Sequence, residues 1–261
     1  MKFMIAVDCE GAACVVGEHG KTLTDSSHFA FARGQATREA DAAAKALFDC
    51  GAEKVIIWDN HGLGDNLEYH LMDPRCDFAV GASLDRRWPG LDSDYAGVLM
   101  IGYHAMNGTP GGVLAHSYSS VAYRWVKVNG LEVGEIALDA AVAGAFGVPL
   151  IFVAGDECGC AEARRFMPWV AVVATKRGLA RHTAVGPSPA RVQSDIYAAV
   201  QAAVRRLPEM RTFTFPPPLE MEIRFNRAKL ALRTRLRLQG WRLAGLYTRR
   251  RSFESMKEWT C

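Results

Sequence analysis

The sequence predicts an α/β fold, with a mostly parallel sheet flanked by helices and a small α+β part at the C-terminus. Three observations predict it. Short apolar runs rich in β-branched residues recur, and several end in an acid or just before a histidine. Longer segments of helical composition separate them. Pro216-Pro217-Pro218 then stiffens the chain into an extended segment, beyond which the composition turns strongly basic.

Lys2 to Asp8 is the first such run, a buried strand ending in acid. Asp8 breaks the apolar stretch, leaving it too short for the core of a secretory leader. Ala30 to Cys50 has helical composition and is closed by Gly51. Lys54 to Asp59 and Tyr95 to Gly102 are further strands, each followed closely by a histidine. Val121 to Val128 alternates around Arg124 and Lys127, and Asn129-Gly130 before Leu131-Glu132-Val133 predicts a type I′ hairpin. The pattern becomes helical at Glu135 and stops at Gly147. Pro149 to Ala154 reads as a buried strand, Glu157 to Phe166 as a short helix and Trp169 to Thr175 as another strand. Ser188 and Pro189 open a long helix that runs to Leu207. This alternation predicts a sheet whose ligands bind beyond the carboxyl ends of its strands, which is where the polar residues stand.

Composition narrows the class. With 49% hydrophobic and 23% charged residues, the chain is ordinary globular protein rather than disordered or fibrous. No apolar stretch reaches the roughly 18 residues of a membrane-spanning helix. The seven cysteines are odd in number and irregularly spaced, which suits reduced thiols and a cytoplasmic location. Cys158-Gly-Cys160 offers two thiols, too few to close a structural zinc site. The net charge of +3 is too small to imply a nucleic-acid partner, yet residues 224–251 hold ten Lys/Arg and no acid. Phe225, Trp241 and Tyr247 interleave with that charge, as they would on a surface gripping nucleic acid. Leu230, Leu232, Leu236, Leu238, Leu243 and Leu246 also alternate with it, which describes half-buried elements with a solvated face or a subunit interface. Nucleic acid is therefore the less expected partner.

Asp8 and Glu10 are two apart, so a strand continuing that far would put both carboxylates on one face and Cys9 on the other. Like charges side by side demand a cation or a raised pKa, although Asp-x-Glu at a strand end also serves as a helix cap or turn. His61 follows the second strand and His104 the third. Two imidazoles and two carboxylates on one sheet edge are zinc chemistry. His116 and Glu135 are further candidates, though an acid at a helix start such as Glu135 is common without any metal. Asp59-Asn60 could orient His61 or simply make the turn. His19, His28, His70 and His182 lie in polar stretches with no matching motif and read as solvated.

In order and spacing, Asp8-x-Glu10-Gly11, Asp59-x-His61, Gly102-Tyr103-His104-Ala105, His116-Ser117, Gly134-Glu135 and Val153-Ala154-Gly155-Asp156 resemble the D-aminopeptidase family, peptidase family M55, typified by a bacterial dipeptide-operon enzyme. The resemblance implies two zinc ions per subunit, with Asp8 bridging both, Glu10 and His61 completing one ion's ligands, and His104 and Glu135 the other's. It implies His116 as the catalytic residue. It also implies short peptide substrates with an N-terminal D-residue such as D-Ala, and a homo-oligomeric, ring-like assembly of decameric size. On this reading residues 1–215 form the metal-binding catalytic α/β domain, and 216–261 a small α+β part packed on the core or in the oligomer interface. One position departs from the family pattern: Ala6 stands where a serine usually begins the motif. Without the resemblance, a two-metal centre would equally serve another amide or a phosphoester.

Overall fold

The computed structural model describes residues 1–81, 87–237 and 240–260, the side chains of 233–237 excepted. The first apolar run forms β1 (Lys2–Val7). It leads into α1 (Phe29–Asp49), β2 (Lys54–Asp59), β3 (Asp77–Ala79) and β4 (Tyr95–Tyr103). The Asn129-Gly130 turn, both residues at positive φ, joins β5 (Tyr123–Val128) to β6 (Leu131–Val133). Then come α2 (Glu135–Ala145), β7 (Leu150–Asp156), α3 (Glu157–Phe166), β8 (Ala171–Ala180), β9 (Thr183–Val185) and α4 (Pro189–Arg205). The Ser188 hydroxyl caps α4 by accepting from Arg191 N, and Pro189 occupies its first turn. The last stretch holds β10 (Leu219–Phe225), α5 (Ala228–Arg237), β11 (Arg242–Gly245) and β12 (Thr248–Phe253).

Two sheets result. The first has the order β3-β2-β1-β4-β7-β8-β9 and is parallel except for the β8–β9 pair. From β1 the chain moves outward through β2 and β3, then returns to place β4 on the other side of β1. The strand order therefore reverses between β1 and β4, where an open parallel sheet leaves a crevice at its carboxyl edge. The second sheet is antiparallel, β11-β12-β10-β5-β6, and draws strands from both sides of the triple proline.

The pleat of β1 sorts its side chains to two cores. Phe3, Ile5 and Val7 join the apolar faces of α1 and α4, including Ala36, Ala40, Ile196 and Val200. Met4 and Ala6 share the other core with Trp58, Met100, α2 and the second sheet. Ala6 thus sits among apolar side chains. In β10 the alternation is complete: Leu219, Met221, Ile223 and Phe225 are buried and Glu220 and Arg224 exposed. Trp241, Phe253 and Trp259 extend the same core.

Two expectations change. β1 ends at Val7, so Asp8 and Glu10 are not brought together by strand alternation; they lie in the turn that follows, with Asp8 N donating to Ile101 O. Of the leucines in the basic segment, Leu230 is half-buried against the core, whereas Leu232, Leu243 and Leu246 are at 45% exposure or more, and Leu238 and the side chain of Leu236 lie outside the described residues. Arg249, by contrast, is buried and donates to Ala231 O, and Arg250 pairs with Glu222.

Candidate metal centre

Four segments converge at the crevice. The turn after β1 carries Asp8 and Glu10, the turn after β2 carries His61, the end of β4 carries His104, and α2 begins with Glu135. The turns after β1 and β4 touch backbone to backbone, with Gly11 N donating to Gly102 O at 2.7 Å. A Cβ on Gly11 would run into the Tyr103 carbonyl and one on Gly102 into the Asp8 carbonyl, so only glycine permits this approach. Each donor side chain is buried, none more than 9% exposed.

The carboxylate of Asp8 faces two ways. Its Oδ1 lies 2.8 Å from His61 Nδ1, which is also 3.0 Å from Glu10 Oε2. Its Oδ2 lies 3.5 Å from His104 Nε2, which is 3.5 Å from Glu135 Oε1. Asp8, Glu10 and His104 offer ligand atoms within 4.8 Å of one another, and so do His104, His116 and Glu135. Cys158 and Cys160 belong to neither cluster.

Each histidine has one ring nitrogen engaged away from the centre. His61 Nε2 is 3.2 Å from the Thr24 hydroxyl, His104 Nδ1 is 3.0 Å from Ala105 O, and His116 Nδ1 is 2.9 Å from Leu114 O. A carbonyl partner requires N–H at that nitrogen, so for neutral rings the other nitrogen of His104 and His116 carries a lone pair into the centre. The rings of His104 and His116 stack at 4.2 Å. Glu135 is aimed by Tyr118 N, which donates to its Oε2 at 2.5 Å.

Crowding of acids and imidazoles shifts the proton affinities of the centre. Burial, reinforced by Glu10, pushes the Asp8 carboxyl up to about 7. Glu10 is also buried, but His61 outweighs burial and holds it well below the usual carboxylate range. Burial works against a charged His104, yet Glu135, Asp8 and Glu10 together raise it to about 9. His116 is lowered by burial and by His104 beside it. Glu10 Oε2 and His104 Nε2 are buried with no hydrogen-bond partner among the described residues. Buried polar atoms rarely go unsatisfied, and His61 approaches Glu10 Oε2 without a well-aligned hydrogen bond, so these atoms are ones a divalent cation would satisfy. The donor set of carboxylate oxygen and imidazole fits zinc.

The centre floors a cleft of about 200 Å³ that Thr22 to Thr24, Asn60, Arg87 and Tyr118 to Val121 also line. Behind it lies a network that sequence reasoning missed. Asp139 accepts from Arg87 Nε and Nη2 at 2.8 and 2.7 Å, from Tyr103 OH at 3.0 Å and from Tyr118 OH at 2.9 Å. An acid in the middle of an otherwise apolar helix, IALDAAVAGA after Glu135, was its available signal. Asn60 donates to Tyr103 OH, while Asp59 accepts from Asn66 N, Leu67 N and Tyr69 OH, so this pair braces the loop that carries His61 and leaves its ring alone. Asp156 caps α3 and also accepts from Ala105 N and Val113 N, fixing both ends of the loop between His104 and His116.

A doubly flanked α/β sheet with a buried carboxylate–imidazole cluster at its switch point defines a class of metal-dependent enzyme. Within that class, the family model described as D-aminopeptidase, peptidase M55, matches residues 1–260, and the chain belongs to that family. It is 31% identical over 228 residues to a D-aminopeptidase of Bacillus subtilis (strain 168), covering 86% of this chain and 81% of that protein. Its fold is similar to the solved structure of the Zn-dependent D-aminopeptidase DppA from Bacillus subtilis, described as a self-compartmentalizing protease. The TM-score is 0.91 and the identity 28%, over 99% of this chain and 93% of the other.

Proposed function

We propose that the protein is a zinc-dependent aminopeptidase that hydrolyses short peptides with an N-terminal D-amino acid such as D-Ala, using two zinc ions per subunit. The observation that carries this reading is the division of Asp8, one oxygen toward His61 and Glu10 and the other toward His104 and Glu135. Family membership supplies the bond to be cut.

In this reading Asp8 would hold zinc together with Glu10 and His61 on one side and with His104 and Glu135 on the other. Zinc bound there would supply Lewis acidity toward a substrate carbonyl and toward water. His116 is the proton-handling residue. Its Nδ1 is committed to Leu114 O, so Nε2 is the atom that takes or returns a proton. The cleft of about 200 Å³ admits a short chain rather than a folded protein, and Asn60, Arg87 and the 118–121 turn bound the space beside the centre.

The similarity to a self-compartmentalizing protease supports oligomeric assembly; a ring of decameric size, which would limit access to short peptides, is the finer part of the proposal. A cytoplasmic site of action is part of the same proposal. No helix among the described residues is long and apolar enough to cross a membrane.

The test is hydrolysis of D-alanyl and L-alanyl amides by protein with and without chelator. Cleavage of the D-amide that stops on chelation and returns with zinc is expected. Preference for the L-amide would remove the stereochemical part, and chelator-insensitive cleavage would remove the mechanism.

A further inference from the structure

The turn that carries Asp8 and Glu10 lies outside the sheet; β4 accepts from Asp8 N and Gly11 N, but the carbonyls of residues 10–12 and Ala13 N need other partners. Three buried side chains supply them. Lys176 Nζ donates to Glu10 O at 2.5 Å and to Ala12 O at 2.6 Å. The Thr175 hydroxyl lies 2.5 Å from Gly11 O and donates to it, and Glu39 Oε1 accepts from Ala13 N at 2.7 Å. Four consecutive residues, 10 to 13, are thus gripped in succession by side chains from β8 and α1. All three gripping residues are at most 2% exposed.

A buried ammonium is costly unless it is paired and hydrogen-bonded, and apolar packing would have served stability at least as well. Lys176 instead reaches two carbonyls of one turn, at positions i and i+2, with Glu39, Asp156 and Glu10 as the acids around it. That arrangement fixes the direction in which the Glu10 and Asp8 side chains leave the turn, which a hydrophobic side chain cannot do.

We infer that Lys176, with Thr175 and Glu39, is a positioning device that sets the ligand geometry of the Asp8–Glu10 turn and hence its hold on zinc. The inference rests on the metal reading above. The three residues touch the turn's backbone and none of the donor atoms, so they act through Asp8 and Glu10.

The experiment is zinc titration of metal-free full-length protein against a competing chromogenic chelator, in wild type, Lys176→Met, Thr175→Val and Ile223→Ala. Ile223→Ala is a remote core truncation in the second sheet that controls for general loss of stability. Partners of metal ligands typically alter affinity by about 10–100-fold, and Lys176→Met is expected to weaken zinc binding within that range. Thr175→Val, which loses one contact to the turn along with a contact to Gly155 O, is expected to weaken it by about threefold to tenfold and keeps the inference testable if Lys176→Met does not fold. Ile223→Ala is expected to lower the melting temperature while binding zinc as wild type does. Wild-type affinity in both turn variants would overturn the clamp and leave the metal reading standing. A loss as large in Ile223→Ala would also overturn it, as a mere effect of stability. Absence of saturable zinc binding by wild type would overturn both.

Discussion

The carboxyl edge of the first sheet and the β10 face of the second sheet treat charge in opposite ways, although Arg249 of the neighbouring β12 is buried too. At the edge, Asp8, Glu10, His61, His104, Glu135, Asp139 and Lys176 are all buried. In the second sheet the buried side of β10 is wholly apolar, and Glu220, Arg224 and Arg250 face outward. Burial of ionisable groups costs stability unless every partner is present, whereas apolar alternation stabilises with no such condition. The first region is therefore built for a ligand and the second for packing. Substitutions should separate them, activity failing in one and stability in the other.

The largest effect is expected from His104→Ala, which removes a donor shared by both candidate clusters. A fall in kcat/KM of at least about 10³-fold, equivalent to about 4 kcal/mol, should appear in initial rates on a D-alanyl amide. Retained activity would mean that the edge is not the reaction centre. In the second sheet, Ile223→Ala should cost about 2–5 kcal/mol in denaturant unfolding while the folded molecules keep their kcat/KM.

Glu162 sharpens the contrast because it is a buried acid at the first region's margin, accepting from Met106 N at 2.8 Å. Burial raises its carboxyl from 4.5 to about 7. A folded pKa above the unfolded one means the neutral form stabilises. That contribution is fully present below about pH 4.5, declines as pH rises and is gone above about 7, a swing of about 3 kcal/mol at most. Glu162→Gln, neutral at every pH, should flatten the fall in melting temperature of metal-free protein between pH 5 and 8; an unchanged slope would show that Glu162 does not titrate there. The smallest effect belongs to Arg250→Ala, whose exposed pair with Glu222 should leave the unfolding midpoint almost unchanged.

The same contrast explains what was legible in the sequence. Strands ending in Asp8, before His61 and before His104 stood out because local patterning marks strand ends, and the topology then placed them on one edge. β10 was patterned too, but its pairing with β5 was not, since nothing local says which strand a segment will join. Asp8 and Glu10 were paired for the wrong reason: a turn, not a pleat, brings them together. Glu135 looked like any acid at a helix start until Tyr118 N and His104 were seen beside it. Thr24 and Lys176 were invisible because their partners are remote in sequence, Lys176 lying 166 residues from Glu10, whereas Asp139 showed only as an acid inside an apolar helix.

The central claim is that Asp8 stands between two metal-binding groups, and counting the zinc ions bound per chain tests it most directly. Metal-free protein titrated with zinc and analysed for bound metal should take up two ions per chain, falling to one or none in Asp8→Ala. A single ion per chain in wild type, or two still bound after Asp8→Ala, would contradict the account.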